Sequence, residues 1–299
     1  MPKFRMISIT LILFLSLLLV GCANDEKDSD KSEENLGEVL EYTITGIEPG
    51  AGLTQLAKDT LEEYDNLKGW KLEESSTAGM TTLLGEAIDN EEPIVITGWS
   101  PHWMFAAYDL KFLEDPKGTL GEIEGIHTIV RKDLEKDMPH AYKILDAFQW
   151  EVEDMEAVML DEQDSSFDEA AKKWVDENQG KVDEWIEGTD MVEGEEIELV
   201  STPWDSERAS AYVMKTVLEQ QGFEVTITDV DPAIMFQAIA NGDADATVAP
   251  WLPTTHGFLY EEHKEDVLDL GVNLNGTKNG IAVPAYMDID SIEDLPSKE

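Results

Sequence analysis

One pattern occurs twice in this chain, and it is the pattern of half an α/β domain. In the first copy, Tyr42-Thr43-Ile44-Thr45-Gly46 reads as a strand and is followed by the turn Glu48-Pro49-Gly50-Ala51-Gly52 and a helix from Leu53 to Tyr64. The segment Trp70-Lys71-Leu72, a helix from Met80 to Ile88 and the run Ile94-Val95-Ile96-Thr97-Gly98-Trp99-Ser100-Pro101-His102 complete it. In the second copy, Ile197 to Val200 precedes the turn Ser201-Thr202-Pro203-Trp204 and a helix reaching Glu219. The strand Phe223 to Ile227, a helix from Ala233 to Ala240 and the run Ala244 to Pro250, then Trp251-Leu252-Pro253-Thr254-Thr255-His256, follow. Open sheets of this kind bind ligands at the carboxyl ends of their strands. Two such halves facing each other bring Trp99, Trp204 and Trp251 around one cleft.

The helices rest on spacing. Leu53, Leu56, Ala57, Thr60, Leu61 and Tyr64 form one apolar stripe, and Tyr212, Val213, Thr216 and Val217 form its counterpart, stopped at Gly222. The strands are short β-branched runs bounded by turn formers. Between the copies, from Leu113 to Glu195, the composition changes. A turn at Asp115-Pro116-Lys117-Gly118 and a strand at Ile126 to Val130 lead into helical stretches over Tyr142 to Leu160 and Phe167 to Ile186. Here the chain crosses from one lobe to the other, and Gly280 to Pro284 reads as the strand that crosses back. This divides the chain into lobe A, residues 42–112 plus 285–299, and lobe B, residues 113–284, with a hinge at the crossings.

The amino end reads as a signal peptide over residues 1–21. Lys3 and Arg5 precede the apolar run Ile7 to Val20, and Leu19-Val20-Gly21-Cys22 has the form of a lipobox. Cys22 is then the lipid-attachment residue, and residues 22–41 form an acidic tether that lifts the protein off the membrane. Cys22 is also the only cysteine, so no disulfide braces the fold and its stability must come from apolar burial. A formal charge of −44 repels nucleic acid and anionic headgroups, which excludes a nucleic-acid role and fits a surface that stays soluble in salty surroundings outside the cell.

No Gly-x-Ser-x-Gly elbow, His-Glu-x-x-His helix, Walker loop or paired-cysteine metal site occurs, so neither an enzyme nor a metal or cofactor is expected. With 65 acidic residues, carboxylates by themselves point nowhere. The tryptophans are more informative. Trp70, Trp150, Trp174 and Trp185 lie inside helix or strand patterns and belong in cores, and Trp103 enters a helix. Trp99, Trp204 and Trp251 stand at strand ends beside prolines. Indole faces hold quaternary ammonium groups, although sugars also stack on tryptophan. A sugar site would need several Asn, Asp, Gln and Arg side chains, and these loops offer few. In Pro49-Gly50-Ala51-Gly52-Leu53 the glycines let backbone approach a ligand, and the helix that follows presents free N–H groups and its positive end. His256, five residues beyond Trp251, either donates to the same anion or is a surface histidine of its loop. A cation cage beside an anion seat describes a small zwitterion.

Pro49-Gly50-Ala51-Gly52, Gly98-Trp99-Ser100-Pro101-His102-Trp103-Met104-Phe105, Pro203-Trp204-Asp205-Ser206-Glu207 and Trp251-Leu252-Pro253-Thr254-Thr255-His256-Gly257 resemble motifs of the glycine betaine-binding proteins of ABC transporters. The resemblance spans residues 42 to 296 and is closest to the lipid-anchored branch of Gram-positive bacteria, in which the two halves stand in swapped order. It implies a two-lobed, type II periplasmic-binding-protein-like α/β fold, anchored on the extracellular face of the membrane, that delivers its ligand to a permease driven by an ATPase. It further implies a prism of Trp99, Trp204 and Trp251 around the trimethylammonium group, with Gly52, Leu53 and His256 on the carboxylate. A monomer binding glycine betaine is expected; choline, carnitine or another small solute is the alternative ligand.

Overall fold

The computed structural model describes residues 35–298. The segment read as a signal peptide, Cys22 and most of the segment read as a tether therefore lie outside the described residues. Of the segment read as a tether, residues 35–41 are described. Asn35 caps a short helix, Leu36–Val39, through its side chain, and Leu40 is buried against the domain. Leu40 belongs to the core and Leu36 packs against it.

The strands are β1 (Thr43–Thr45), β2 (Lys71–Glu73), β3 (Ile96–Ser100), β4 (Leu110–Phe112), β5 (Glu124–Arg131), β6 (Glu195–Ser201), β7 (Phe223–Asp229), β8 (Ala246–Thr247), β9 (Trp251–Leu252) and β10 (Val267–Pro284). They form one sheet in the order β2-β1-β3-β10-β5-β8-β6-β7, with β4 on β10 and β9 on β5. The two ends of this order mirror each other. In the first lobe β1 lies parallel to β2 and β3, and β10 runs antiparallel to β3. In the second, β6 lies parallel to β7 and β8, and β5 runs antiparallel to β8. The sequence duplication is thus a structural one: an α/β fold of two lobes, each a short parallel sheet closed by one antiparallel strand.

Two segments join the lobes. The chain passes from β4 into β5, and it returns along β10, whose residues up to Thr277 pair with β5 and whose residues from Lys278 pair with β3. The return crossing therefore falls inside β10, before Gly280 to Pro284. The first half of this strand is hidden in the sequence because register shifts at Asp269/Gly271, Val272/Leu274 and Asn275/Thr277 break its alternation.

The helical middle segment is shorter-jointed than its spacing suggests. Pro139–Ala147 and Val152–Glu162 are separate helices, as are Phe167–Glu177 and Gln179–Trp185. The first break follows from Trp150, whose backbone N–H leaves the helix ladder to donate to the Asn273 carbonyl at 2.9 Å. Its indole packs edge-on to Trp174, which stacks on Trp185. These tryptophans are core, as their positions predict.

Candidate functional site

Each predicted ligand-binding residue sits at a carboxyl end of a sheet strand or just beyond it. Gly52 and Leu53 open the helix Gly52–Glu63 that follows β1, and Trp99 lies near the end of β3. Trp204 caps the helix Asp205–Gln220 that follows β6, Trp251 begins β9, and His256 caps the helix Gly257–His263. All six line one cavity, together with Ile47, Ala51, Glu207, Thr255 and Asn279. The three indoles are buried, Trp251 to 2% exposure, so the cleft is closed.

Cross-lobe contacts hold it shut. The Trp99 indole Nε1 donates to Ser206 Oγ at 3.3 Å, that of Trp103 to Asp205 Oδ2 at 2.8 Å, and that of Trp204 to Glu48 Oε2 at 3.0 Å. Glu48 also accepts from the backbone N–H and hydroxyl of Thr77, at 2.8 and 2.9 Å. Burial pushes the Glu48 pKa up, but these hydrogen bonds outweigh it and hold the carboxyl below its ordinary value. Burial of Asp205 acts against the Trp103 bond and the nearby Arg208, and leaves its pKa raised. Trp103 is therefore more than the start of a helix.

The lobes approach closely at Gly52. A Cβ there would stand 2.3 Å from the Thr255 carbonyl oxygen, so only glycine lets the helix end meet the Thr255 loop. That loop is fastened from behind by Glu124 of β5. Its carboxylate accepts from the backbone N–H groups of Thr254 and Thr255, at 2.8 and 3.1 Å, and from the Thr255 hydroxyl. Asn279, opposite Trp99 on β10, donates to Glu124 at 3.1 Å and to Thr255 Oγ1 at 2.6 Å.

His256 has two nitrogens in different states. The Trp251 backbone N–H donates to Nδ1 at 3.0 Å, which places the ring proton on Nε2. Nε2 is buried without a partner. Burial lowers the imidazole pKa to about 4, so the ring is neutral at physiological pH and offers one N–H donor. Gly52 and Leu53, the first two residues of their helix, have no carbonyl one turn back to bind their N–H groups. The cavity thus combines three indoles with backbone and imidazole donors.

Glu207, Asn279, Glu124, Thr255 and Glu48 escape the sequence reading. Glu207 stands three residues beyond Trp204, which was the signal available, but one carboxylate among 65 acidic residues has nothing to mark it. Polar side chains at the cavity are more numerous than its loops suggest. The Thr255 hydroxyl and the Asn279 amide are nevertheless already spent on Glu124 and on each other. Among the described residues no group of three or more His, Cys, Asp or Glu side chains forms a metal cradle.

Two mirrored α/β lobes, joined by paired crossings and closed on a small aromatic cavity, define a solute-binding protein of the two-lobed type. The chain belongs to the family described as the substrate-binding domain of the ABC-type glycine betaine transport system, whose pattern matches residues 24–177 and 195–299. It is 44% identical to the glycine betaine/carnitine transport binding protein GbuC of Listeria monocytogenes serotype 1/2a (strain 10403S), over 99% of each chain. Among solved structures it is similar to lactococcal OpuAC in its closed-liganded conformation with glycine betaine. That match has 59% identity over 49% of this chain and 58% of that one, with a TM-score of 0.48. A glycine betaine/L-proline-binding protein of Borrelia burgdorferi matches at 34% identity over 51% of this chain and 58% of that one, with a TM-score of 0.48. This chain thus spans less than two thirds of the length of either solved relative in those matches.

Proposed function

We propose that the protein captures glycine betaine, or a related quaternary-ammonium zwitterion such as carnitine, and delivers it to an ABC permease for uptake. The observation that carries this reading is the pairing of chemistries in one cavity: the indoles of Trp99, Trp204 and Trp251 beside the partnerless Nε2–H of buried, neutral His256. A trimethylammonium group donates no hydrogen bonds and is held by aromatic faces, at up to about 2 kcal/mol for each desolvated face. Its carboxylate accepts from His256 and from the N–H groups of Gly52 and Leu53, at the positive end of a helix. A sugar reading is weaker, because the Thr255 and Asn279 donors at the cavity are engaged with Glu124.

The first lobe contributes Gly52, Leu53 and Trp99, and the second contributes Trp204, Trp251 and His256. Only the closed form offers every contact at once, so ligand binding favours closure about the β4–β5 and β10 crossings. In this reading the protein is a monomer with no catalytic step and no cofactor. A lipid on Cys22 ties it to the outer face of the membrane, where closed, loaded protein meets the permease. After the costs of ordering and desolvation, a dissociation constant of about 1 μM is expected.

The test is a titration of the protein with glycine betaine, carnitine, choline and maltose, followed by tryptophan fluorescence. Saturable changes with the two zwitterions and none with maltose support the reading. Silence with both zwitterions, or saturation by maltose, defeats it.

A further inference from the structure

We infer that Glu207 is the counter-ion of the bound ligand, a carboxylate in the cage wall that pairs through space with the quaternary ammonium and confers selection for cations. This rests on the reading that a quaternary ammonium occupies the cage. Glu207 is 3% exposed and lines the same cavity as the three indoles. It accepts from Ser206 Oγ at 2.6 Å, and the same hydroxyl receives the Trp99 indole N–H at 3.3 Å, which ties the carboxyl to the facing wall.

No cation of the protein answers this charge among the described residues. Arg208, the nearest in sequence, is turned to Asp229 at 2.5 Å. Asp205, in the same helical turn, repels a second negative charge. Across the cleft, Glu48 is anionic and held by Trp204 and Thr77. From the Trp251 loop, His256 is buried and neutral, and behind Trp99, His102 is buried with its pKa lowered to about 3. Glu124, behind Thr255 and Asn279, adds only a further acid. A buried carboxylate without a cationic partner is costly, and the cavity it lines is walled by indole faces that suit a cation.

Closed without a ligand, the cavity meets this cost by holding a proton. Burial pushes the Glu207 pKa up to about 7, while the Ser206 hydroxyl and the Trp251 indole N–H pull the other way. The Trp251 indole reaches no acceptor at full hydrogen-bond geometry, so its pull is partial. Seating a fixed positive charge beside Glu207 favours the ionised form, and the proton leaves to solvent. Binding then strengthens with rising pH up to about 7 and levels above it.

The experiment is calorimetry on the full chain with glycine betaine and with choline, between about pH 5.5 and 8.5, in buffers of different ionisation enthalpy. The unaltered protein is expected to release close to one proton at about pH 6, with affinity falling toward tenfold per pH unit below 7 for both ligands. Glu207→Gln should bind with a constant that does not change with pH, weaker than the parent at pH 8 and close to it at pH 5.5. His256 stays neutral across this window and contributes no slope. Tight betaine binding with no proton release, or a pH slope retained in Glu207→Gln, overturns the role of Glu207 while leaving the proposed ligand intact. No betaine binding at any pH overturns both. The proton count on the unaltered chain decides the question even if the variant folds poorly.

Discussion

His256 is a donor because its neighbour occupies its other nitrogen. With Nδ1 taken by the Trp251 backbone and the ring kept neutral by burial, Nε2–H is what it presents. His256→Ala should weaken glycine betaine at least tenfold and choline, which has no carboxylate, much less; equal losses in parallel titrations would remove it from the anion seat. The same residue shapes acid stability. Its pKa is lowered in the fold, so the unfolded chain binds more protons between about 6.5 and 4, and stability is lost as pH falls through that window. Glu207 has the opposite sign. Its pKa is raised from 4.5 to about 7, so the native state binds more protons in between, and its contribution declines as pH rises. Ligand-free Glu207→Gln should therefore match the parent near pH 5 and exceed it by about 1–3 kcal/mol near pH 8. Urea unfolding at the two pH values reads this, and no pH-dependent gain would mean that the carboxyl carries no buried charge.

Among the elements, the helix Gly52–Glu63 is set by a contact it would lose with any side chain at its first position. Gly52→Ala improves helix propensity by a fraction of a kcal/mol but places a methyl 2.3 Å from the Thr255 carbonyl. The two effects should separate: thermal stability of the ligand-free protein unchanged or slightly higher, betaine affinity lower by tenfold or more. Parallel loss of both would mean that Gly52 serves the fold rather than closure. The helix Asp205–Gln220 presents Trp204, Asp205, Ser206 and Glu207 in one turn to the opposite lobe, which is why its start concentrates so many cross-lobe bonds. Trp103→Phe removes the bond to Asp205 but leaves the cage, and should weaken binding several-fold, near the 1 kcal/mol typical of one hydrogen bond. A variant that binds as well as the parent would show that this bond contributes nothing to closure.

The molecule as a whole carries a formal charge of −44, which repels itself and is screened within about 3 Å at 1 M salt against 10 Å at 0.1 M. Raising salt from about 0.1 to 1 M should raise the melting temperature, yet leave the affinity for a net-neutral, buried zwitterion within about threefold. A steep loss of betaine affinity with salt would place the ligand on the screened surface instead of in the cavity. The duplicated halves, the helices of both copies and the three loop tryptophans were legible in the sequence, because local periodicity and strand-end prolines report on neighbours close along the chain. The bulged first half of β10 was not, since its alternation is broken where it pairs with β5. Nor were Glu207, Asn279 and Glu124, whose importance comes from partners brought in from elsewhere: Trp99 reached through Ser206, Thr255 beside Glu124, and Trp99 opposite Asn279. Sequence by itself determined which half-domains form and which aromatic side chains they carry to their edges. Only the tertiary structure decided which of many identical acids loses its water and that the cavity-lining His256 keeps Nε2–H to donate, because burial and partnership are properties of the packed molecule.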